Sequence, residues 1–252
     1  MSRNVWIAAG LLLLSAGTKL PAQEKSAPKS KANAKETGTE RNKRLLANVR
    51  RLVLAPPYFG VPTPDVKSDS KTTDAQRKEQ ARYRDYLRKL ETSAREHLPL
   101  RLAARTKFQI APLTEADAAL TILMLTPQNL FQNGGLMRGT KFPLPNSDAV
   151  KRFAAQTKAD AVLLTVLDAP RRDNGRILFD PLAGLSGEPP KVRSKAAFYL
   201  LLPDGTEILR DYVEALQPVT PGGRRDYLLI DWTEAQDITL EDFMDELSRY
   251  AP

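Results

Sequence analysis

One histidine and no cysteine bound the chemistry open to this 252-residue chain. A Ser-His-Asp site would have to be built on His97, which sits near the end of a charged helical stretch, close to Pro99, and reads as a surface or helix-end side chain. Without cysteine there is no thiolate nucleophile, no thiolate metal site and no disulfide. Gly184-Leu185-Ser186-Gly187 misses the spacing of a nucleophile elbow and lacks the buried strand that must precede one. Gly134, Gly135 and Gly139 do not follow a strand in phosphate-loop order, so they read as a turn. Metal binding would need carboxylates alone. Asp168, Asp173 and Asp180 are candidates for hard cations only, and they otherwise read as polar loop residues after a strand. Residue types allow glycoside hydrolysis by paired carboxylates, yet no aromatic-lined cleft is announced. No cofactor is expected.

Binding has better support than catalysis. In open α/β sheets, ligands favour the crevice at the carboxyl ends of parallel strands. That brings the Pro57-Tyr58-Phe59 loop and the loop from Asp168 to Pro190 to one edge. Pro57, Tyr58, Phe59, Arg171 and Arg172 are therefore the candidate protein-interaction residues, since Tyr and Arg are enriched at interface centres. The competing reading is that Tyr58 and Phe59 simply cover the sheet end.

The elements that must position these residues follow from periodicity and punctuation. Asn48 to Ala55 reads as a buried strand stopped by Pro56-Pro57, because proline cannot donate to a ladder. A long loop to about residue 72 precedes a helix from Asp74 to about Leu98, with Tyr83, Tyr86, Leu87, Leu90, Ala94 and Leu98 on one face. Pro99 bends or ends that helix. A short strand from Phe108 to Leu113 leads into a helix over Glu115 to Leu125, with Thr114 and Asp117 as a weak capping box. Ser147 caps a helix over Asp148 to Thr157, and the apolar run Ala161 to Leu167 is a strand covered on both faces. Val192 to Leu202 and Glu207 to Leu216 flank Pro203-Asp204-Gly205 as a hairpin. Residues 217–237 read as an irregular linker in which Tyr227 to Trp232 is apolar enough to dock or form an edge strand. Thr239 with Asp242 then starts a last helix. The expected fold class is α/β: a mixed sheet of about five strands, three parallel through helical crossovers plus an antiparallel hairpin, flanked by helices and ending in a C-terminal helix.

Met1-Ser2-Arg3-Asn4 followed by an uncharged stretch from Val5 to Thr18 has the layout of a secretion signal. Lys19 and Pro21 stop the run short of the roughly 20 apolar residues a spanning helix needs. Cleavage is expected between Ala22 and Gln23, leaving no transmembrane segment, with an uncleaved anchor as the alternative. The net charge of +8 then has to be located. Arg3 and Lys19 leave with the leader, and residues 23–51 carry nine basic against three acidic side chains, so the chain from Leu52 onward is neutral overall. This argues against nucleic acid as a partner. Residues 23–44 read as a disordered basic tether, too poor in large apolar side chains to order. Contact of that tether with an anionic surface is its functional reading, and a solvated spacer the other. The rest, residues 45–252, reads as one domain. Within it a basic stretch over 77–107 and an acidic C-terminal stretch are expected to lie near each other.

Three segments resemble a known family: Arg51 to Pro57, a strand that stops at prolines; Lys158 to Leu167, a helix end running through Ala-Asp into a buried strand; and the Phe198 to Leu209 hairpin through Pro-Asp-Gly. Together they are similar to the exported α/β domain of the TolB N-terminal type, shared by CsgG-like secretion lipoproteins and LpoB-like cell-wall synthase activators. The LpoB-like members also place a disordered tether between signal and domain. The lipid-bearing cysteine and any TolB-like propeller are absent, so neither membrane attachment nor pore formation is implied. The resemblance implies a domain that binds other envelope proteins without catalysis, and it assigns no functional residue. The function expected is thus an exported, soluble, periplasmic or secreted non-enzymatic interaction domain. The alternatives are a carboxylate-dependent hydrolase using residues such as Asp168 and Asp180, and polyanion or cell-wall binding through the tether.

Overall fold

The computed structural model describes residues 37–59, 74–135, 142–168, 172–173, 176–177, 191–218 and 227–251, all within one compact unit. The expected cleavage site at Ala22 and Gln23, most of the tether, Arg171, Asp180 and the segment around Ser186 lie outside the described residues.

The chain is α/β, built on a mixed six-stranded sheet. Its strands are β1 (Arg51–Leu54), β2 (Tyr58–Phe59), β3 (Gln109–Ile110), β4 (Ala161–Leu167), β7 (Lys191–Leu201) and β8 (Glu207–Pro218). A separate two-stranded ladder joins β5 (Arg172–Asp173) to β6 (Arg176–Ile177). The order across the main sheet is β3-β1-β4-β7-β8, with β2 also pairing β4. The parallel part is β3, β1 and β4, and β7 and β8 continue it antiparallel.

Strand β4 is buried at every position, as an apolar run covered on both faces should be. Its neighbour on one side is β1, pairing Leu52 to Leu54 with Ala161 to Leu163. Beyond Pro56 and Pro57 the chain returns to the same strand, and Tyr58 and Phe59 of β2 pair with Val166 and Leu167. The segment expected to be a loop after the prolines is therefore a short strand. The prolines withhold two donors, but their fixed extended backbone keeps the chain in line with β4. At the foot of β1, the Asp160 carboxylate accepts the backbone N–H groups of Arg50 (3.0 Å) and Arg51 (2.8 Å).

Side-chain alternation along the strands makes two cores. On one face Leu52, Leu54, Leu163, Phe198 and Leu200 meet Ala94, Leu98 and Leu102 of α2 (Asp74–Arg105) and Phe243 and Leu247 of α5 (Tyr227–Ser248). Phe198 and Phe243 stack at 4.1 Å between centroids. On the other face Val53, Val162, Leu164 and Tyr199 meet Ala116 and Leu120 of α3 (Leu113–Ile122) and Val150 and Phe153 of α4 (Ser147–Thr157). Thr165 is the one polar residue of β4, and its buried hydroxyl has no partner.

Several boundaries depart from the sequence expectation. Helix α1, Gly38–Leu46, occupies the end of the stretch expected to be a disordered tether. Thr37 and Glu40 close a capping box over its first turn, and Leu46 is buried against the sheet. Helix α2 runs through Pro99 for 32 residues, because Leu98 and Leu102 bury in the same core and Arg101 and Arg105 are tied to α5 on the far side of the proline. Helix α3 has Pro112 as N-cap, with no capping role for Thr114; its Glu115 and Asp117 instead bind Arg51 and Arg95. Asn146, rather than Ser147, caps α4 by accepting the Ala149 N–H. Helix α5 begins at Tyr227, so residues 227–237 of the expected linker are helical. Thr239 sits inside that helix and donates its hydroxyl to the Gln236 carbonyl, a local bond of the kind that also favours helix starts.

The hairpin forms as expected. Gly205 has φ +84, a conformation that needs glycine, and a Cβ there would meet Ser147 Cβ at 3.1 Å. The basic and acidic stretches also meet. His97 and Arg101 contact Asp237, Arg101 and Arg105 contact Glu241, and Arg105 contacts Asp245, one helical turn per rung between parallel α2 and α5.

Two substitutions separate packing from polarity in this core. Phe243→Ala should cost about 3–5 kcal/mol in urea unfolding, since it removes the stacked ring between α5 and the sheet. Thr165→Val keeps the volume and removes the unpartnered hydroxyl, so it should raise stability by about 1 kcal/mol in the same measurement.

Candidate interaction surface

Among the described residues, those weighed for catalysis are not assembled for it. Ser93 Oγ lies 3.5 Å and Asp237 Oδ1 3.2 Å from His97, but both approach Nδ1. A nucleophile and an orienting carboxylate must use opposite ring nitrogens, so this cluster is not a triad. Asp237 also receives Arg101 at 3.2 Å, which makes it part of the helix-to-helix ladder. Asp168 closes β4, donating its N–H to Lys195 O at 2.8 Å. Asp173 lies in β5. Among the described residues no group of three His, Asp or Glu side chains could hold a metal ion. Gly134 has φ +64, and a Cβ added to it would meet nothing within 4 Å, which is the geometry of an open turn.

What the sheet does assemble is aromatic. Tyr58 on β2, Val166 on β4, Ala197 on β7 and Tyr212 on β8 are successive cross-strand neighbours, which puts both tyrosines in one row on one face. Phe131 bridges inward, 5.8 Å from Tyr58 and 6.3 Å from Tyr199. Tyr199 meets Tyr212 edge-on at 6.2 Å, and Phe142 stacks on Tyr212 at 5.8 Å. Tyr199 is buried and donates its hydroxyl to Pro143 O at 3.0 Å. Burial first, and the Tyr212 hydroxyl second, push the Tyr199 phenol well above the ordinary tyrosine range, so it stays protonated as a donor. Burial likewise raises Tyr58. Arg210 lies 5.7 Å from the centre of the Tyr199 ring and is bound by Glu207, which raises its already high pKa.

The run opens to solvent at Tyr212, 51% exposed, and continues to Leu216, 43% exposed, four residues further along the same face of β8. Of the residues singled out from sequence, Pro57 is buried, Tyr58 joins this run half-buried, and Phe59 packs into the opposite core. The backbone of Arg172 lies in β5. Phe131, Phe142, Tyr199 and Tyr212 are not among those candidates. Only the strand alternation Arg210, Tyr212, Glu214, Leu216 hints at them, as one face carrying two large apolar side chains. A concavity of about 430 Å³ beside the start of α4 reaches the row at Phe131 and is also lined by Met124, Asn129, Asp148 and Arg152.

No protein-family model matches the chain, and no curated protein matches it. Among solved structures it is similar to the hypothetical protein CT253 of Chlamydia trachomatis, at 9% identity and a TM-score of 0.40 over 80% of this chain and 97% of that one. Lipoprotein GNA1162 of Neisseria meningitidis matches at 13% identity and TM-score 0.36, over 77% and 99% of the two chains. E. coli LpoB matches at 11% identity and TM-score 0.33, over 84% and 86%. The LpoB-like part of the expected resemblance is thus present among solved structures, and no site residue is carried over from any of them. No described helix is long and apolar enough to cross a membrane.

On the other face of β8, Asp211 lies under the acidic side of α5. Burial raises its pKa first, and then the charges of Glu246 and Asp242, against a bond from the Tyr212 N–H that lowers it. A raised folded value means this carboxyl favours folding fully only below the ordinary aspartate range, and that contribution is lost as pH rises through the raised value. Asp211→Asn should therefore raise the thermal midpoint at about pH 7 and leave it unchanged near pH 3, where the wild-type carboxyl is protonated in both states. Thermal scans at the two pH values measure the difference.

Proposed function

We propose that this chain is an exported, non-enzymatic interaction domain of the cell envelope, and that it docks protein partners on the aromatic face ending at Tyr212. The observation that carries this is the ring run itself, which starts at Tyr58, crosses the sheet and emerges at a half-exposed tyrosine beside an exposed leucine. Tyrosines backed by a packed aromatic layer present large contact area at low entropy cost, which is the character of interface anchors. The N-terminal layout supplies the export half of the reading. Tyr58, singled out from sequence for this role, forms the inner end of the surface. Pro57 is buried, Phe59 packs in the core on the opposite face of the sheet, and Arg171 and Arg172 follow β4 closely in sequence.

Site-specific photocrosslinking tests it. A photoreactive residue at Tyr212 should give one discrete protein adduct, and Tyr58→Ala should weaken that adduct several-fold by loosening Phe131 beneath the row. The same group at Leu100, which is 69% exposed on α2, the helix packed on the opposite face of the sheet, serves as the control. Equal, diffuse labelling from both positions would reject the reading.

A further inference from the structure

We infer that β8 is a self-pairing edge, on which a second copy of this chain docks antiparallel about a two-fold axis through Tyr212. The inference rests on the reading of this side of the sheet as the protein-binding surface, and names one occupant for it.

Strand β8 ends the sheet, and no described strand pairs with its outer side. Which of its backbone groups face out follows from hydrogen bonding across the sheet. The Asp168 N–H binds Lys195 O, so Lys195 turns its amide groups toward β4. Alternation then turns those of Ser194, Ala196 and Phe198 toward β8, where their register partners are Ala215, Val213 and Asp211. The amides of Arg210, Tyr212, Glu214 and Leu216 therefore point outward, that of Tyr212 bonded to the Asp211 carboxyl, which a pairing copy has to displace. At the hairpin end the register shift reverses this alternation, and there Arg41 of α1 donates to Glu207 O on the outer side.

Natural edges are normally blunted by a lysine, a proline, a bulge or a covering element. On β8 the bulge, the covering helix and the proline lie at its two ends, while the charged side chains Arg210, Asp211 and Glu214 lie between them. The sheet's register shift and α1 lie at the Glu207 end, and the proline is residue 218. Between Arg210 and Leu216 there is no lysine, proline or glycine, and two exposed apolar side chains point to one face.

The charges select both the occupant and the register. Arg210 and Glu214 stand two residues to either side of Tyr212, on its face. In an antiparallel pair centred on Tyr212, Arg210 of one copy lies directly opposite Glu214 of the other, twice over. Tyr212 meets its symmetry mate between them, and Phe142, stacked on Tyr212, extends the aromatic layer into both copies. Centring the pair one residue on, at Val213, would instead oppose Arg210 to Leu216. Within the chain Arg210 meets Glu207 and lies over the Tyr199 ring, and Glu214 meets Lys195 of β7, so pairing of the two edges exchanges part of these contacts for those across the axis.

Sedimentation equilibrium of the full mature chain tests this with a charge swap. Wild type should be a dimer. Arg210→Glu and Glu214→Arg should each dimerise about tenfold or more weakly, because each places like charges opposite one another at both positions. An equimolar mixture of the two variants restores an opposite-charge pairing across the axis and should dimerise more tightly than either variant alone, a rescue that loss of folding in either variant could not produce. Circular dichroism checks that each is folded. A wild-type chain that stays monomeric, or a mixture no more associated than the separate variants, overturns the inference. A discrete Tyr212 adduct with a different protein from a wild-type chain that stays monomeric would overturn the self-pairing and leave the interaction reading standing, whereas no discrete adduct at all would overturn the interaction reading.

Discussion

Burial of β4 on both faces is the constraint from which the rest of the architecture follows. A strand with no exposed side chain needs a pairing partner along each edge and a packed layer on each face. The edges are taken by β1 with β2 and by β7, and the faces by α2 with α5 and by α3 with α4. Two consequences are visible in the aromatic residues. Phe198 faces one core and stacks on Phe243, whereas its neighbour Tyr199 faces the other and must find a partner for its hydroxyl, which it does at Pro143. The sheet thus ends on one side of β4 in the short strand β3 beyond β1, and on the other in a long hairpin whose last strand is its edge.

Electrostatics are organised around the same layers. The acidic side of α5 meets the basic side of α2 in rungs that repeat once per turn, with one face of the contact buried through Leu90, Leu98 and Leu240. Gln236 ties the two helices further by donating to Leu90 O at 3.2 Å. Exposed ion pairs of this kind are individually worth little. Their value here is orientation: parallel helices on one face leave Asp242 and Glu246 of α5 over β8, where their charges add to burial, the larger cause, in pushing Asp211 toward its neutral form. The basic surplus near the N-terminus is also partly structural, since Arg51 is committed to Glu115 and Arg41 to the β8 edge.

The central sheet is legible in the sequence wherever pattern and punctuation agree. Ala161 to Leu167, the Pro-Asp-Gly hairpin and the α4 helix stand where periodicity puts them. The departures share one physical origin, which is tertiary contact overriding a local signal. Pro99 reads as a stop, but Leu102 and Arg105 beyond it are held by the core and by α5. Thr239 reads as a cap, but its hydroxyl is satisfied inside a helix that is already running. Residues 38–44 read as tether by composition, yet the Thr37 to Glu40 box and the burial of Leu46 order them. The candidate site is half legible. Tyr58 can be named from its place after the prolines, while Phe131, Phe142, Tyr199 and Tyr212 converge from segments far apart in sequence, and no local pattern announces such a meeting.

Asp160 bears on a problem that this core creates for itself. Leu52, Val53 and Leu54 are apolar on both faces, as is most of β4, so shifting β1 by one residue would exchange one set of apolar side chains for another. Hydrophobic alternation, which normally specifies how two strands slide into alignment, says little here. The Asp160 carboxylate accepts two consecutive amides, those of Arg50 and Arg51, and a slipped strand would present a different pair. The Ala-Asp step before β4 therefore acts as an indexing stop for the sheet: one polar side chain at the rim decides an alignment that the greasy interior leaves nearly degenerate.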